Sequence, residues 1–185
     1  MTKNIRRLRT LAVVFLTAAC TLVTEPADAT VPRTVEISAD FYDPGQPAFT
    51  YYGAECDPVL PGVCRVKFGG RVEWFGGLSG TSTYDAIGYQ EGTGPSTWEV
   101  RETFTGTVAG CGTGQFEWYG KGEIDFAAID LATQEVPMEG VLDFVGPGAG
   151  DLTGIDGALE ATARLRLFPA FGEQHGHVTG TVTCH

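Results

Sequence analysis

Charge is scarce in this sequence, and positive charge scarcest. Only 19% of the 185 residues are charged, with 12 Lys and Arg against 23 Asp and Glu, for a net charge of −11. A chain this acidic is repelled by phosphate backbones and anionic lipid, so nucleic acid is not expected as a partner. Stretches free of helix breakers are scarce too, because 26 glycines and 10 prolines punctuate the chain. That excludes a helical bundle. Beyond the first thirty residues no run is long and apolar enough to cross a bilayer as a helix. Most spacings that announce chemistry are also missing. There is no C-x-x-C pair for zinc. Ser79, in Gly77-Leu78-Ser79-Gly80-Thr81, lacks the second glycine of a nucleophile elbow and has no recognisable Asp–His pair around it. His175 and His177 fall on one strand face without a third ligand at a recognisable spacing, and read as surface histidines. No metal and no cofactor are expected.

What is present speaks first to compartment. Lys3, Arg6, Arg7 and Arg9 precede a short apolar run, Leu11 to Ala19, and Ala27-Asp28-Ala29 forms an A-x-A site. This is the layout of a secretory signal peptide cleaved after Ala29. Thr17-Ala18-Ala19-Cys20 resembles a lipoprotein box but has Thr17 where Leu is usual, and Arg6-Arg7 hints at twin-arginine export. Cleavage removes those four basic residues together with Glu25 and Asp28, which leaves 8 basic and 21 acidic residues, or −13.

Cleavage also removes Cys20 and leaves Cys56, Cys64, Cys111 and Cys184. An even cysteine count outside the cytosol reads as a disulfide framework, for which four cysteines allow three connectivities. The favoured one pairs Cys56 with Cys64 across a short loop and Cys111 with Cys184. The second pair closes two related stretches, Thr105 to Cys111 and Thr179 to Cys184, expected as neighbouring strands.

The mature chain reads as strand after strand. Leu159, Ala161, Ala163, Leu165 and Leu167 alternate with Glu160, Thr162, Arg164 and Arg166, so Ala158 to Phe168 is a half-buried strand despite its helix-favouring residues. Val35, Ile37, Ala39 and Phe41 share a face, as do Val66 and Phe68 on a second strand. Val72 and Trp74 open a third, Ile87 and Tyr89 end a fourth, and Trp98, Val100, Phe104 and Val108 line a long one. Phe116, Trp118, Ile124 and Phe126 line another, followed by Met138, Leu142 and Phe144, and last by Val178 and Val182. Between them, Glu123 to Val136 allows at most a short turn of helix. Roughly eight to ten short strands mean a sandwich or a barrel. Gly106, Gly120, Gly122, Gly140 and Gly180 lie on the apolar phase, where a small barrel needs tight bends and close backbone approach. The expected fold is therefore all-β, a closed antiparallel barrel of about eight strands. Its expected layout is a signal peptide over 1–29, an N-terminal extension with the cysteine loop over 30–69, and the barrel core over 70–185.

The run Phe104 to Phe116, with Gly106, Gly110, Gly112 and Gly114, resembles the paired strands of allene-oxide-cyclase-like small bacterial barrels. So does the segment Gly148-Ala149-Gly150-Asp151-Leu152-Thr153-Gly154-Ile155-Asp156-Gly157, which follows that class's G-x-G-(D/E)-L-x-G-(I/L)-x-G link between late strands. The resemblance extends from about Gly80 to Cys184 and rests on turns and glycines. It implies an eight-stranded barrel around an apolar cavity. The class includes plant cyclases of an unsaturated epoxide and bacterial barrels that catalyse cycloadditions in polyketide biosynthesis.

One carboxylate stands out. Glu102 is in phase with Trp98, Val100, Phe104 and Val108, on a face that should point inward. Burial raises a carboxyl's pKa towards the range of a general acid or base. Asp85, in phase with Thr83 and Ile87, is a second inward candidate. Trp74, Tyr84, Tyr89, Trp98, Phe104, Trp118 and Tyr119 are candidates to line a cavity for a small apolar or unsaturated molecule. Two functions follow as expectations. One is a cofactor-free cyclase or isomerase that shapes an unsaturated polyketide-like or oxidised-lipid substrate. The other is an exported, non-enzymatic barrel that binds a lipophilic ligand or serves a structural role at the cell surface.

Overall fold

The structure, a computed structural model, describes residues 31–60, 62–91, 95–167 and 172–185. The expected signal peptide and Phe168, the expected end of a strand, lie outside the described residues. Nine strands follow in order: β1 (Arg33–Pro44), β2 (Thr50–Cys56), β3 (Val63–Gly76), β4 (Leu78–Glu91), β5 (Ser96–Val108), β6 (Gly112–Ile124), β7 (Glu135–Gly150), β8 (Asp156–Arg166) and β9 (Glu173–Cys184). The Gly- and Pro-poor stretch before β7 holds only one short 3-10 turn, Phe126–Ala128, capped by the Asp125 carboxylate, which accepts the Ala127 N–H at 2.9 Å.

All neighbours are antiparallel, in the order β1-β9-β8-β7-β6-β5-β4-β3-β2, and β1 returns to pair with β3. Eight strands thereby close into a barrel, with β2 as an extra strand. Closure is shared along β3. Its second half meets β1, from Ala39↔Gly76 to Tyr42↔Glu73, and its first half meets β2, from Thr50↔Gly69 to Cys56↔Cys64. Of the 30–69 stretch, β1 is thus a full stave of the barrel. Val66–Phe68 and Val72–Trp74, expected on separate strands, belong to one strand that runs straight through Gly69-Gly70.

Period-two alternation puts one apolar set inside each stave. Ile37 and Ala39, Val72 and Trp74, Phe104 and Val108, Leu159 and Ala161, and Val178 and Val182 are all buried on the inner face. One end of the barrel is sealed. Leu78, Phe104, Val108 and Phe116 pack there with Leu152 and Ile155, which the glycine-rich β7–β8 link folds inward. The link is tied down by the Asp151 carboxylate, which accepts the Thr113 N–H at 3.1 Å.

Both expected disulfides form. Cys56–Cys64 is a directly opposed pair across β2 and β3, with Cα atoms 4.0 Å apart. Cys111–Cys184 joins the β5–β6 turn to the end of β9, with Cα atoms 5.6 Å apart. Its two stretches are not neighbouring strands as expected. β6, β7 and β8 separate β5 from β9 on one side and β4, β3 and β1 on the other, so the bond spans the sealed end like a crossbar. Two disulfides are compatible with an extracellular location. No helix among the described residues is long and apolar enough to cross a membrane.

Candidate functional site

The opposite half of the barrel is not filled. An inner chamber of about 90 Å³ is lined by Phe68, Trp74, Tyr84, Trp98, Glu102 and Leu142 among others. An outer chamber of about 160 Å³ adjoins it towards the mouth and shares Phe68, Met138 and Gln174 with it. Two glycines shape these walls. A Cβ on Gly140 would lie 2.5 Å from Cζ2 of Trp98, and one on Gly70 would lie 2.6 Å from the Tyr84 hydroxyl. Both are closer than real Cβ atoms approach, so bare backbone makes room for the two rings.

Glu102 faces inward as its phase predicts, 6% exposed, between Tyr84 on β4 and Trp118 on β6 in the strand register. Its oxygens are both held. The Ser82 hydroxyl donates to Oε1, and the Trp118 indole N–H donates to Oε2 at 2.7 Å. Trp74 in turn donates its indole N–H to Ser82 Oγ at 2.7 Å, so the hydroxyl is oriented from both sides. Burial pushes the carboxyl up, the Ser82, Trp118 and Trp74 hydrogen bonds pull it part of the way back, and nearby Asp43 adds repulsion. The balance lies at about 7, against an ordinary 4.5. Near neutral pH both protonation states are populated. A group so poised can take a proton and return it.

A second buried acid escaped the sequence reading. Asp43, fully buried, accepts the Tyr84 hydroxyl at 2.7 Å and the Gly45 N–H at 2.8 Å. Burial raises its pKa, against the pull of those two bonds. It lies two residues beyond Phe41 on the same face as Val35, Ile37 and Ala39, so the alternation that exposed Glu102 marks Asp43 as well. Ser82 was missed because a serine among strand residues carries no signal of its own.

Of the expected lining residues, Trp74, Tyr84 and Trp98 line the inner chamber, and Tyr89 the outer one. Trp118 reaches the site through its bond to Glu102. Phe104 belongs instead to the sealed core, its ring 5.0 Å from Phe116 and 5.9 Å from Trp118. Two expectations are overturned. Asp85 is exposed on the outer face, because β4 turns Ser82, Tyr84 and Ala86 inward rather than Thr83 and Ile87. Tyr119 is the outward neighbour of buried Trp118 and lines an external groove with Asp85 and Arg101.

His177 lies on the outer face. Its Nδ1 is 2.7 Å from Asp40 Oδ1, and its Nε2 is 3.2 Å from Ser38 Oγ. The connectivity is that of a nucleophilic triad, but β1 and β9 are paired throughout this stretch. Ser38 sits within a paired strand and not on a turn that would aim successive backbone N–H groups at an oxyanion. No group of three or more His, Cys, Asp or Glu among the described residues is arranged to hold a metal.

Sealed at one end and, among the described residues, hollow towards the other with a poised carboxyl inside, the chain is a closed antiparallel barrel with a largely apolar internal cavity. No family model matches it, and no curated protein matches it. Among solved structures it is similar to a protein of unknown function from the DUF3224 family of Shewanella oneidensis MR-1. That match has 18% identity and a TM-score of 0.54 over 80% of this chain and 97% of the other. At that identity the likeness shows the fold alone.

Proposed function

We propose that the barrel interior receives a small, apolar, unsaturated molecule, and that Glu102 moves a proton on it, as a cofactor-free cyclase or isomerase requires. The observation that carries this reading is the carboxyl itself. It is held at about 7 in the wall of an apolar chamber, within a polar network of Ser82, Trp74 and Trp118. The chamber limits the conformers of a flexible guest, which is most of what a ring closure or double-bond shift needs. The resemblance to allene-oxide-cyclase-like barrels supports the same chemistry. Export after Ala29 belongs to this reading and is supported by the two disulfides. A second reading, binding without turnover, is favoured by one observation: both Glu102 oxygens already have protein donors.

A panel of β,γ-unsaturated ketones tests the proposal, with conversion to the conjugated isomer followed by ultraviolet absorbance. Glu102 as carboxylate takes the proton from the α carbon and, as acid, returns it to the γ carbon. Turnover in the native protein that falls at least 100-fold in Glu102→Gln, with the fold intact, supports acid–base catalysis, as a general acid or base typically contributes about 10²–10⁴-fold. Binding of the ketones without conversion points to the second reading. A barrel that takes up none of them sinks both.

A further inference from the structure

Two polar atoms inside the open half have no partner. The indole Nε1 of Trp98 and the hydroxyl of Ser96 are both fully buried and make no hydrogen bond among the described residues. The residues are 8% and 5% exposed. They are two apart on β5, on the same inner face as Glu102, with Ser96 lining the outer chamber and Trp98 the inner one. The other two tryptophans are satisfied, Trp74 by Ser82 and Trp118 by Glu102. A buried donor left unpaired is costly, and native interiors rarely keep one without a use.

The chemistry of the orphans specifies what would satisfy them. An indole N–H only donates, so the guest must bring an acceptor to Trp98, whereas Ser96 can donate or accept. Most of the wall around them is apolar, its other polar side chains are Tyr, Thr, Gln and Glu, and the lining of both chambers holds no Lys, Arg or His among the described residues. Glu102 lines the inner chamber, and buried Asp43 lies close enough to repel it. Of the nearby guanidinium groups, Arg166 is already held by Glu135 at 2.9 Å and Glu173 at 2.7 Å, and Arg65 lies over the Tyr89 ring, 5.8 Å from its centroid. An anionic guest would enter unpaired beside two carboxyls, at a cost that nothing in the wall offsets.

We infer that the site selects a neutral, oxygen-bearing apolar molecule, a ketone, ester or ether rather than a free acid, whose oxygen draws the buried Trp98 N–H towards the inner chamber and accepts it. Ser96 meets a second polar atom of the guest nearer the mouth. This rests on the reading that the cavity is a small-molecule site, and it narrows the substrate to a carbonyl or ether class. About 150 Å³ of dry cavity is enough to hold a benzene ring, so the two chambers suit a ring-sized body with a short oxygenated arm.

Three probes that share one ring test it: cyclohexyl methyl ketone, ethylcyclohexane and cyclohexanecarboxylate, titrated into the ¹⁵N-labelled, disulfide-bonded protein at neutral pH. The indole N–H resonance of Trp98, assigned as the one lost in Trp98→Phe, should move on addition of the ketone and stay put with the hydrocarbon. The ketone should bind about tenfold more weakly to Trp98→Phe, while ethylcyclohexane binds both proteins alike; tenfold is the scale of one ordinary hydrogen bond. Cyclohexanecarboxylate should bind at least tenfold more weakly than the ketone. Ketone binding that leaves the resonance unmoved, or a carboxylate that binds as well as the ketone, overturns the inference while the small-molecule site stands. Failure of all three probes to bind overturns both. The resonance is read on the native protein, so the outcome does not depend on the variant folding.

Discussion

The two ends of this barrel are built from the same staves and differ in what fills them. At the sealed end, alternation delivers Phe104, Phe116, Leu78 and Val108 into a dry core, with Leu152 and Ile155 pushed in by the β7–β8 link and Cys111–Cys184 spanning the rim. At the open end the same alternation delivers Glu102, Trp98 and Ser96 along with glycines, and space is left between them. One half is paid for by packing, and the other spends that stability on buried polar groups. The same strands thus carry a packed support at one end and a cavity with buried polar groups at the other.

The difference can be broken most forcefully at the sealed end. Phe104→Ala should destabilise the protein by about 3–5 kcal/mol in urea unfolding, the usual cost of deleting a fully buried aromatic. Phe68→Ala, at a half-buried ring lining both chambers, should cost less than half of that. Equal losses would mean that the open half is as tightly packed as the other. The disulfides should divide along the same line. The loop closed by Cys111–Cys184 has a sequence separation of 73 and that of Cys56–Cys64 a separation of 8. Replacing the first pair by serines should cost about 4 kcal/mol and the second about 2.5 kcal/mol by loop entropy, measured by thermal unfolding of each double variant.

Next comes pH. The folded-state pKa of Glu102 is above its unfolded value, so folding favours the protonated form. Its contribution is fully present below about pH 4.5 and is lost as pH rises through about 7. The loss should be on the order of 3 kcal/mol in a urea titration series, and Glu102→Gln should flatten the slope. A slope that survives in Glu102→Gln would place the titrating group elsewhere. The smallest effects belong outside. Asp85→Asn and Tyr119→Phe, on the outer face, should each change stability by less than about 0.5 kcal/mol.

The architecture was legible because an antiparallel barrel writes its inner face into every second residue. Strict alternation overrode helix-favouring composition in β8, and the cysteine pairing followed from an even count and one short loop. Glu102 was legible for the same reason, since the large apolar residues of β5 declare its phase. β4 shows where that signal fails. Its inward residues include Ser82, Ala86 and Gly88, which are small, while Thr83 and Ile87 supply the β-branched residues that outer strand faces also favour. The β-branched residues of β4 therefore point to the opposite phase, and Asp85, expected inside, lies outside. The ligation of Glu102 by Ser82 and Trp118 was not legible at all, because it depends on which strands become neighbours and with what register.

The division of β3 between two partners has a consequence for motion. Most staves pair along nearly their full length, as β1 does with β9 from Arg33 to Pro44, but β1 and β3 meet only between Ala39 and Tyr42. This short seam is where the wall can breathe, and amide hydrogen exchange should be faster there than along β5 or β6. Asp43 lies just beyond the seam on β1, and its bond to Tyr84 reaches past β3 to β4. That buried acid is therefore a latch: Tyr84→Phe should loosen the seam first and leave the crossbarred end untouched.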